Sequence, residues 1–402
     1  MRTALVVGAG MAGLATAGAL SRAGWQVTLL ERGERVAAPP TALVLWGNGR
    51  RALDALDPAG GWSGIAAPLP DGGVRRPDGQ WLVPPRSRHN GAGGANGGPA
   101  PAVVHLEDLY DALVAGLGDN VEIRTGTSVS KVRVGRGHRP SVHDGRTWVD
   151  ADLLVAADGI DSPIRRVLAP EAAAVGSGFA AWQAVIPGYR APRLPDDLAA
   201  GGETLGAGYR FVSIPLGERA AGRGGIYWVA TAAGAPRPES PATQLALLRR
   251  WFASWHAPIG DLLDATRPAD LIPQEVRELR PLPRAYGFCS GPGGVVLLGD
   301  AAHAMPHHLG QGACLAFEDA ATLRSLVADA QPGPELCAAI DAYSRARRPR
   351  TTSVVRQTRR MSAVVQARGR LALRARDAAL NQLRPRILGH VHGEAADWTP
   401  PD

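Results

Sequence analysis

The sequence predicts an α/β fold: a parallel sheet wrapped in helices, a mostly antiparallel β region inserted into it, and a helix at the C-terminal end. Three observations carry that reading. The first is the run Gly8-Ala9-Gly10-Met11-Ala12-Gly13, set between an apolar segment and an alanine-rich one. The second is a distant glycine motif, Gly299-Asp300-Ala301-Ala302-His303, with Gly310-Gln311-Gly312 behind it. The third is the stretch between them, 176–284, where alternation and β-forming residues replace the helical period.

Residues 4–7, Ala-Leu-Val-Val, show no polar alternation, as in a strand buried on both faces. The glycines follow at once, and 11–23 reads as a helix rich in Ala and Leu, stopped by Gly24. In such a turn the first glycine permits the tight bend, the second lets backbone approach a pyrophosphate, and the third packs helix on strand. The helix N-terminus offers N–H groups and partial positive charge to phosphates. A second strand, 26–30, ends at Glu31, a ribose-hydroxyl acceptor, with Arg32 beside it. This β-α-β unit is Rossmann-like and forms one half of a dinucleotide site.

A helix is expected over 49–56. Residues 61–100 are rich in Gly and Pro, with a hairpin over 73–83 turned at Pro77-Asp78-Gly79 and a low-complexity loop over 88–101. Residues 106–117 return to a helical period, and 121–134 and 147–156 read as strands. A second sheet is expected from 179–185, 209–215 and 225–231, then a helix over 243–256. The apolar strand 295–298 leads into the second glycine motif, and a helix over 318–328 follows. These elements divide the chain into a discontinuous nucleotide domain (1–70, 101–175 and 285–345), an inserted substrate domain (71–100 and 176–284), and an arginine-rich helical segment (346–402).

A chain of 402 residues suits two domains, and 45% hydrophobic with 20% charged residues lies in the globular range. No apolar stretch approaches the roughly 18 residues of a spanning helix. Met1-Arg2 runs directly into the first strand, so the expected location is cytoplasmic. Cys289, Cys314 and Cys337 contain no C-x-x-C pair, and predict neither a disulfide framework nor a metal site. The net charge of +7 arises mainly from 344–376, which holds eleven arginines and no carboxylate. That segment reads as a helix with a solvated arginine face, packed through Val354, Val355, Met361, Val364 and Val365. Nucleic-acid binding is not expected of it.

Asp300 ends a buried strand, where open α/β sheets bind ligands, and its carboxylate suits a ribityl hydroxyl. Gly310 to Ala313 can open a helix whose N–H groups face the pyrimidine edge of a flavin, which gains negative charge on reduction. The paired motifs therefore point to FAD, whose ribityl chain and ring need contacts far from the adenosine. A third motif spans 152–166: a strand, the Asp158-Gly159 turn, and a helix capped by Ser162 with Pro163 at its first position.

In order and spacing the three motifs resemble the single-component FAD-dependent aromatic hydroxylases, the family of para-hydroxybenzoate and salicylate hydroxylases, over about residues 1–345. The resemblance implies that Gly8, Gly10, Met11, Ala12, Gly13, Glu31 and Arg32 hold the ADP half of non-covalently bound FAD. It places Asp300 at the ribityl chain, Pro306 and Gly310, Gln311, Gly312 and Ala313 along the ring, and Asp158-Gly159 at a motif linked to both FAD and NAD(P)H. It implies NADPH or NADH as a transient co-substrate, O₂ as oxidant, and a flavin C4a-hydroperoxide that transfers one oxygen atom to an aromatic or polycyclic small molecule, by hydroxylation or epoxidation, in secondary metabolism. The oligomeric state expected is monomer or homodimer. Where many relatives carry a FAD-contacting arginine this chain has Leu106, and where many carry Asn it has Cys314.

His307 and His308, just past Pro306, are the candidates for a base or hydrogen-bond acceptor toward a phenol, with Arg210 as a further catalytic candidate. Trp46, Trp182, Gln183 and Arg210 are the candidate substrate-pocket residues. Rival readings are a non-oxygenating dehydrogenase or reductase on the same fold, a flavin halogenase, and a non-enzymatic binding protein. The halogenase reading is opposed by the lack of a Trp-x-Trp-x-Ile-Pro motif and by a single lysine, Lys131.

Overall fold

The structure, a computed structural model, describes residues 1–57, 60–85, 98–135, 137–195, 198–217, 224–234, 239–382 and 395–401. Most of the low-complexity loop expected over 88–101 lies outside the described residues.

A six-stranded sheet runs in the order Gly287–Cys289, Gly294–Leu297, Leu153–Ala156, Thr3–Val7, Gln26–Leu30, Val121–Arg124. All neighbours pair in parallel except the Gly287–Cys289 edge, which is antiparallel. Thr3–Val7 is the switch point: the chain builds outward first on one side of it, then on the other. Val7, Ala156 and Leu297 stand in register. The turns of the three motifs, at Gly8, Asp158 and Gly299, therefore emerge side by side from the carboxyl ends of three adjacent parallel strands. The central strands are buried on both faces, which is why they read as unbroken apolar runs.

Two expected strands are divided. In 121–134, Val121–Arg124 joins the parallel sheet while Lys131–Arg133 pairs with Ser141–His143 in a small antiparallel one. Gly126, at φ +61°, turns the chain between them. In 147–156, Trp148–Asp150 belongs to the small sheet and Leu153–Ala156 to the large one. Asp152 lies between; its carboxylate accepts from the Thr3 amide at 2.8 Å and from Arg139 Nε at 2.9 Å.

The second sheet has seven strands in the order Ile272–Arg280, Ala173–Pro187, Gly225–Ala233, Tyr209–Pro215, Gly202–Leu205, Val74–Arg75, Trp81–Val83. The 73–83 hairpin thus forms its edge. One face packs on Pro241–Trp251 and Ile259–Ala265 through Trp182, Phe211, Trp228, Leu245, Leu248, Phe252 and Leu262. The other face lines a cavity.

The C-terminal segment departs from its reading as a solvated helix. One helix runs Pro334–Val365, through the division expected at 346, and Arg370–Gln382 follows. Val354, Val355 and Val365 are buried as expected. Arg347 is buried too. Its Nε donates to Asp319 Oδ1 at 2.6 Å, and its NH1 lies 2.8 Å from Glu318 Oε2. Arg350 pairs with Glu318, Arg359 with Glu278, and buried Arg376 donates to the Gly206 carbonyl. Several arginines are thus core fasteners, because their partners lie far off in sequence.

The cysteine reading is also corrected. Cys289 and Cys337 form a disulfide, Cα to Cα 5.3 Å, joining the edge strand to the first turn of the long helix. Cys314 is free and buried beside Gly49, where an added Cβ would come within 2.6 Å of its sulfur. Burial pushes its thiol up to about 12, so it is a packed residue and not a nucleophile.

Candidate active site

The glycine loop is shaped from behind. Gly8 has φ +100°, and a Cβ there would meet the Ala157 carbonyl oxygen at 2.4 Å. A Cβ on Gly13 would meet the Gly8 carbonyl oxygen at 1.8 Å, so this glycine permits helix and loop to touch. Gly10 is the opposite case: the nearest atom to an added Cβ is the Tyr110 hydroxyl at 3.9 Å. Open space at the second glycine, with close packing at the first and third, leaves backbone room for a pyrophosphate at the start of Met11–Arg22. Glu31 braces this loop. Its Oε2 accepts from the Ala9 amide and its Oε1 from the Gly33 amide, both at 2.8 Å, leaving further lone pairs for a ribose. Arg32 is exposed beside Glu31, and neither residue lines the cavity.

The cavity is about 1160 Å³. That exceeds the usual range for one small ligand and suits a cofactor and a substrate together. Gly10, Met11, Ala12, Tyr110, Ala157, Gly159, Gly299 and Asp300 line it along the parallel sheet. Asp300 opens onto the cavity at the start of the Asp300–His303 turn. The carboxylate lies deep in the molecule, and burial raises its pKa above the ordinary aspartate value, with His303 and Arg165 opposing. Its oxygens, open to the cavity, can accept a hydrogen bond from a ligand hydroxyl. Beyond it, Gly310 turns with φ +61°, and an added Cβ would stand 3.1 Å from Trp46 Nε1. Gly312 starts the Gly312–Val327 helix with nothing within 4 Å of an added Cβ. Pro306, Gly310, Gly312, Ala313 and Trp46 line the cavity here, and Gln311 lies behind them, its Oε1 accepting from Asn48. Open backbone at Gly10 and Gly312, with Asp300 between them, fits the pyrophosphate, the ring and the ribityl chain of FAD respectively.

Asp158 sits beneath the loop. Neither carboxylate oxygen has a well-formed hydrogen bond, and burial raises its pKa to about 6, only partly offset by the nearby Ser162 hydroxyl. Gly159 lines the cavity and Asp158 does not. Ser162 caps its helix as expected, accepting from the Arg165 amide at 2.9 Å.

At the substrate end the antiparallel sheet presents Ala181, Gln183, Glu203, Leu205, Arg210, Val212, Tyr227 and Val229 to the cavity. Trp182 is a correction. Its neighbours 181 and 183 point to the cavity, so it points the other way. It is buried under the helices, where its indole pairs with Gln244 at 2.5 Å. Gln183 accepts from the Tyr227 hydroxyl at 2.9 Å, and Arg210 Nε donates to Glu203 Oε1 at 2.7 Å. His307 and His308 also line the cavity, packed on Phe179. Burial, then the Arg210 charge, lowers His307 to about 3 and His308 further. Both imidazoles are therefore neutral near pH 7, and act as hydrogen-bonding groups more readily than as proton acceptors.

Sequence reasoning missed the carboxylate pair Glu318 and Asp319, both fully buried. Asp319 Oδ2 accepts from the Gly299 amide at 3.0 Å and lies 2.6 Å from His303 Nε2, while Glu318 Oε1 accepts from Asn48 Nδ2 at 2.6 Å. The pair thus ties Gly299 and His303, on either side of Asp300, to Asn48. Its sequence signal was two adjacent acids inside an apolar helix. Met361, Val364 and Leu380 of the C-terminal helices were also missed as cavity walls.

Comparison with known proteins agrees with this geometry. The family model described as FAD binding domain matches residues 1–185 and 272–358. The chain is 30% identical to aurachin C monooxygenase/isomerase of Stigmatella aurantiaca, over 95% of this chain and 94% of that one. It is 35% identical to 2-heptyl-3-hydroxy-4(1H)-quinolone synthase of Pseudomonas aeruginosa strain UCBPP-PA14, over 81% and 80% of the two chains. The crystal structure of Klebsiella pneumoniae HpxO with FAD and uric acid shares its fold, at TM-score 0.81 and 22% identity, over 98% of this chain and 96% of that one. No helix among the described residues is long and apolar enough to cross a membrane. A Rossmann-like sheet whose three motifs converge on one cavity, together with these likenesses, makes the chain a member of the FAD-binding-domain family and, within it, an FAD-dependent aromatic monooxygenase.

Proposed function

We propose that this enzyme uses NADPH or NADH and O₂ to place one oxygen atom on a bicyclic aromatic with an apolar substituent, as the heptyl-quinolone in the name of one relative suggests. The observation that carries the reading is the cavity: flavin-sized backbone openings at one end meet an aromatic-sized wall at the other. Bound FAD would supply the redox chemistry between NAD(P)H and O₂. This chain's residues do the rest. Gly10 and its helix N-terminus receive the pyrophosphate, Glu31 the ribose, and Asp300 a ribityl hydroxyl. Gln311 to Ala313 would direct backbone N–H groups at the ring, while the Gly310 amide donates to the His307 carbonyl.

Gln183, Arg210 and the neutral His307 and His308 hold the substrate's polar edge. Trp46 closes the cavity near Gly310. Val74, Val83, Leu205, Met361, Val364 and Leu380 form an apolar end at the hairpin edge of the sheet, where a substituent would lie. From the Gly225–Ala233 strand to that edge are four inter-strand steps, about 19 Å at about 4.8 Å each. The apolar walls of this end would disfavour water there, which favours oxygen transfer over wasteful loss of reducing power. Consumption of NAD(P)H suits a cytoplasmic setting.

The test is NAD(P)H oxidation under air. Purified protein with FAD is expected to consume NAD(P)H slowly alone and about tenfold or more faster with an alkylated quinolone. Equal rates with and without a panel of such aromatics would remove this substrate class.

A further inference from the structure

Among the described residues, the sheet wall of the substrate end carries one cation, and its partner says what can enter. An arginine in an aromatic pocket commonly reads a carboxylate through its planar fork. Arg210 has a competitor already in place. Strand register pairs Leu205 with Arg210 and Glu203 with Val212, which makes Glu203 and Arg210 diagonal neighbours on the cavity face. Their side chains meet at 2.7 Å, and both line the cavity. Glu203 is the more open of the two, 26% against 10% exposed, so an arriving anion meets it first. Val212, Val229 and Leu205 surround the pair, so its charges are little screened. Tyr227 is committed to Gln183, and the two histidines are neutral. Among the described residues, the cavity face of the sheet thus holds one positive and one negative charge.

Resting on the aromatic-substrate reading above, we infer that Glu203 is a specificity-determining residue, which neutralises Arg210 so that the site accepts uncharged aromatics and rejects aromatic carboxylates. A carboxylate would bring a second anion to a cation already paired and meet like-charge repulsion. An uncharged ring meets a closed ion pair and apolar walls. The rejection is built in by repulsion and not by shape.

The test uses FAD-loaded enzyme with 3-hydroxybenzamide and 3-hydroxybenzoate, which have the same shape and differ in charge. Affinities are read from the flavin absorbance change. Wild-type enzyme is expected to hold the amide about tenfold or more tighter. In Glu203→Gln the benzoate is expected to gain about ten- to a hundredfold while the amide changes far less, and adding Arg210→Met is expected to erase the gain. Wild-type enzyme that holds the benzoate as tightly as the amide overturns the inference without any variant. A Glu203→Gln enzyme that retains FAD but gains no affinity for benzoate overturns it as well. If the affinity shift appears and no alkylated quinolone speeds NAD(P)H oxidation, the charge rule stands and the reading of what is hydroxylated falls alone.

Discussion

Replacing Asp300 with alanine is expected to weaken FAD binding by about ten- to a hundredfold, the loss of one charge-assisted hydrogen bond of about 1.5–3 kcal/mol. His307→Ala is expected to change FAD affinity by less than about threefold. The contrast follows from placement. Asp300 opens onto the cavity between the Gly10 and Gly312 openings, while His307 packs on Phe179 at the substrate end. Titration of apo-protein with FAD, followed by flavin fluorescence, reads both constants. Equal affinities in the two variants would mean that the second glycine motif does not hold the ribityl chain.

The second large effect concerns stability. Arg347→Met is expected to cost about 3–5 kcal/mol, because it leaves two fully buried carboxylates short of a cation. Arg356, exposed on the same helix, is expected to tolerate the same change within about 0.5 kcal/mol. Urea unfolding of the three proteins measures the difference. The pH dependence has a definite sign. Burial alone would raise the Asp319 carboxyl, but His303, Arg347 and the Gly299 amide hold it below its usual value. A depressed folded-state pKa adds stability above the unfolded value, about 3.9, and loses it as pH falls through the lower folded value. Wild-type enzyme is therefore expected to lose this contribution only below about pH 4. Arg347→Met, with that support weakened, is expected to lose stability at higher pH. An Arg347→Met protein as stable as wild type would show the network to be dispensable.

The parts of the site that were legible in the sequence are those whose physics is local. Gly8, Gly10 and Gly13 announce a loop because their spacing between an apolar strand and an alanine-rich helix is a local pattern, although the atoms that exclude a Cβ at Gly8 come from distant Ala157. Asp300 was legible because a buried apolar strand ending in an acid is a local pattern. Trp182 was misplaced because both faces of its strand are buried, one by helices and one by the cavity, so alternation cannot tell them apart. Arg347 read as a solvated charge because its partners, Glu318 and Asp319, come from another helix. Cys289 and Cys337 are separated by 48 residues, with no local sign that strand and helix bring them together. Glu203 gave no motif at all. Its meaning appears only when register sets it diagonal to Arg210.

One cavity brings FAD and an aromatic together for oxygen transfer, and the most direct measurement of this claim is the fate of ¹⁸O₂. Enzyme, FAD, NAD(P)H and a turned-over aromatic are incubated under labelled oxygen, and product is analysed by mass spectrometry. One labelled atom per hydroxylated product is the expected result. Product that forms without label would contradict oxygen transfer in this cavity and leave a non-oxygenating flavin enzyme on this fold.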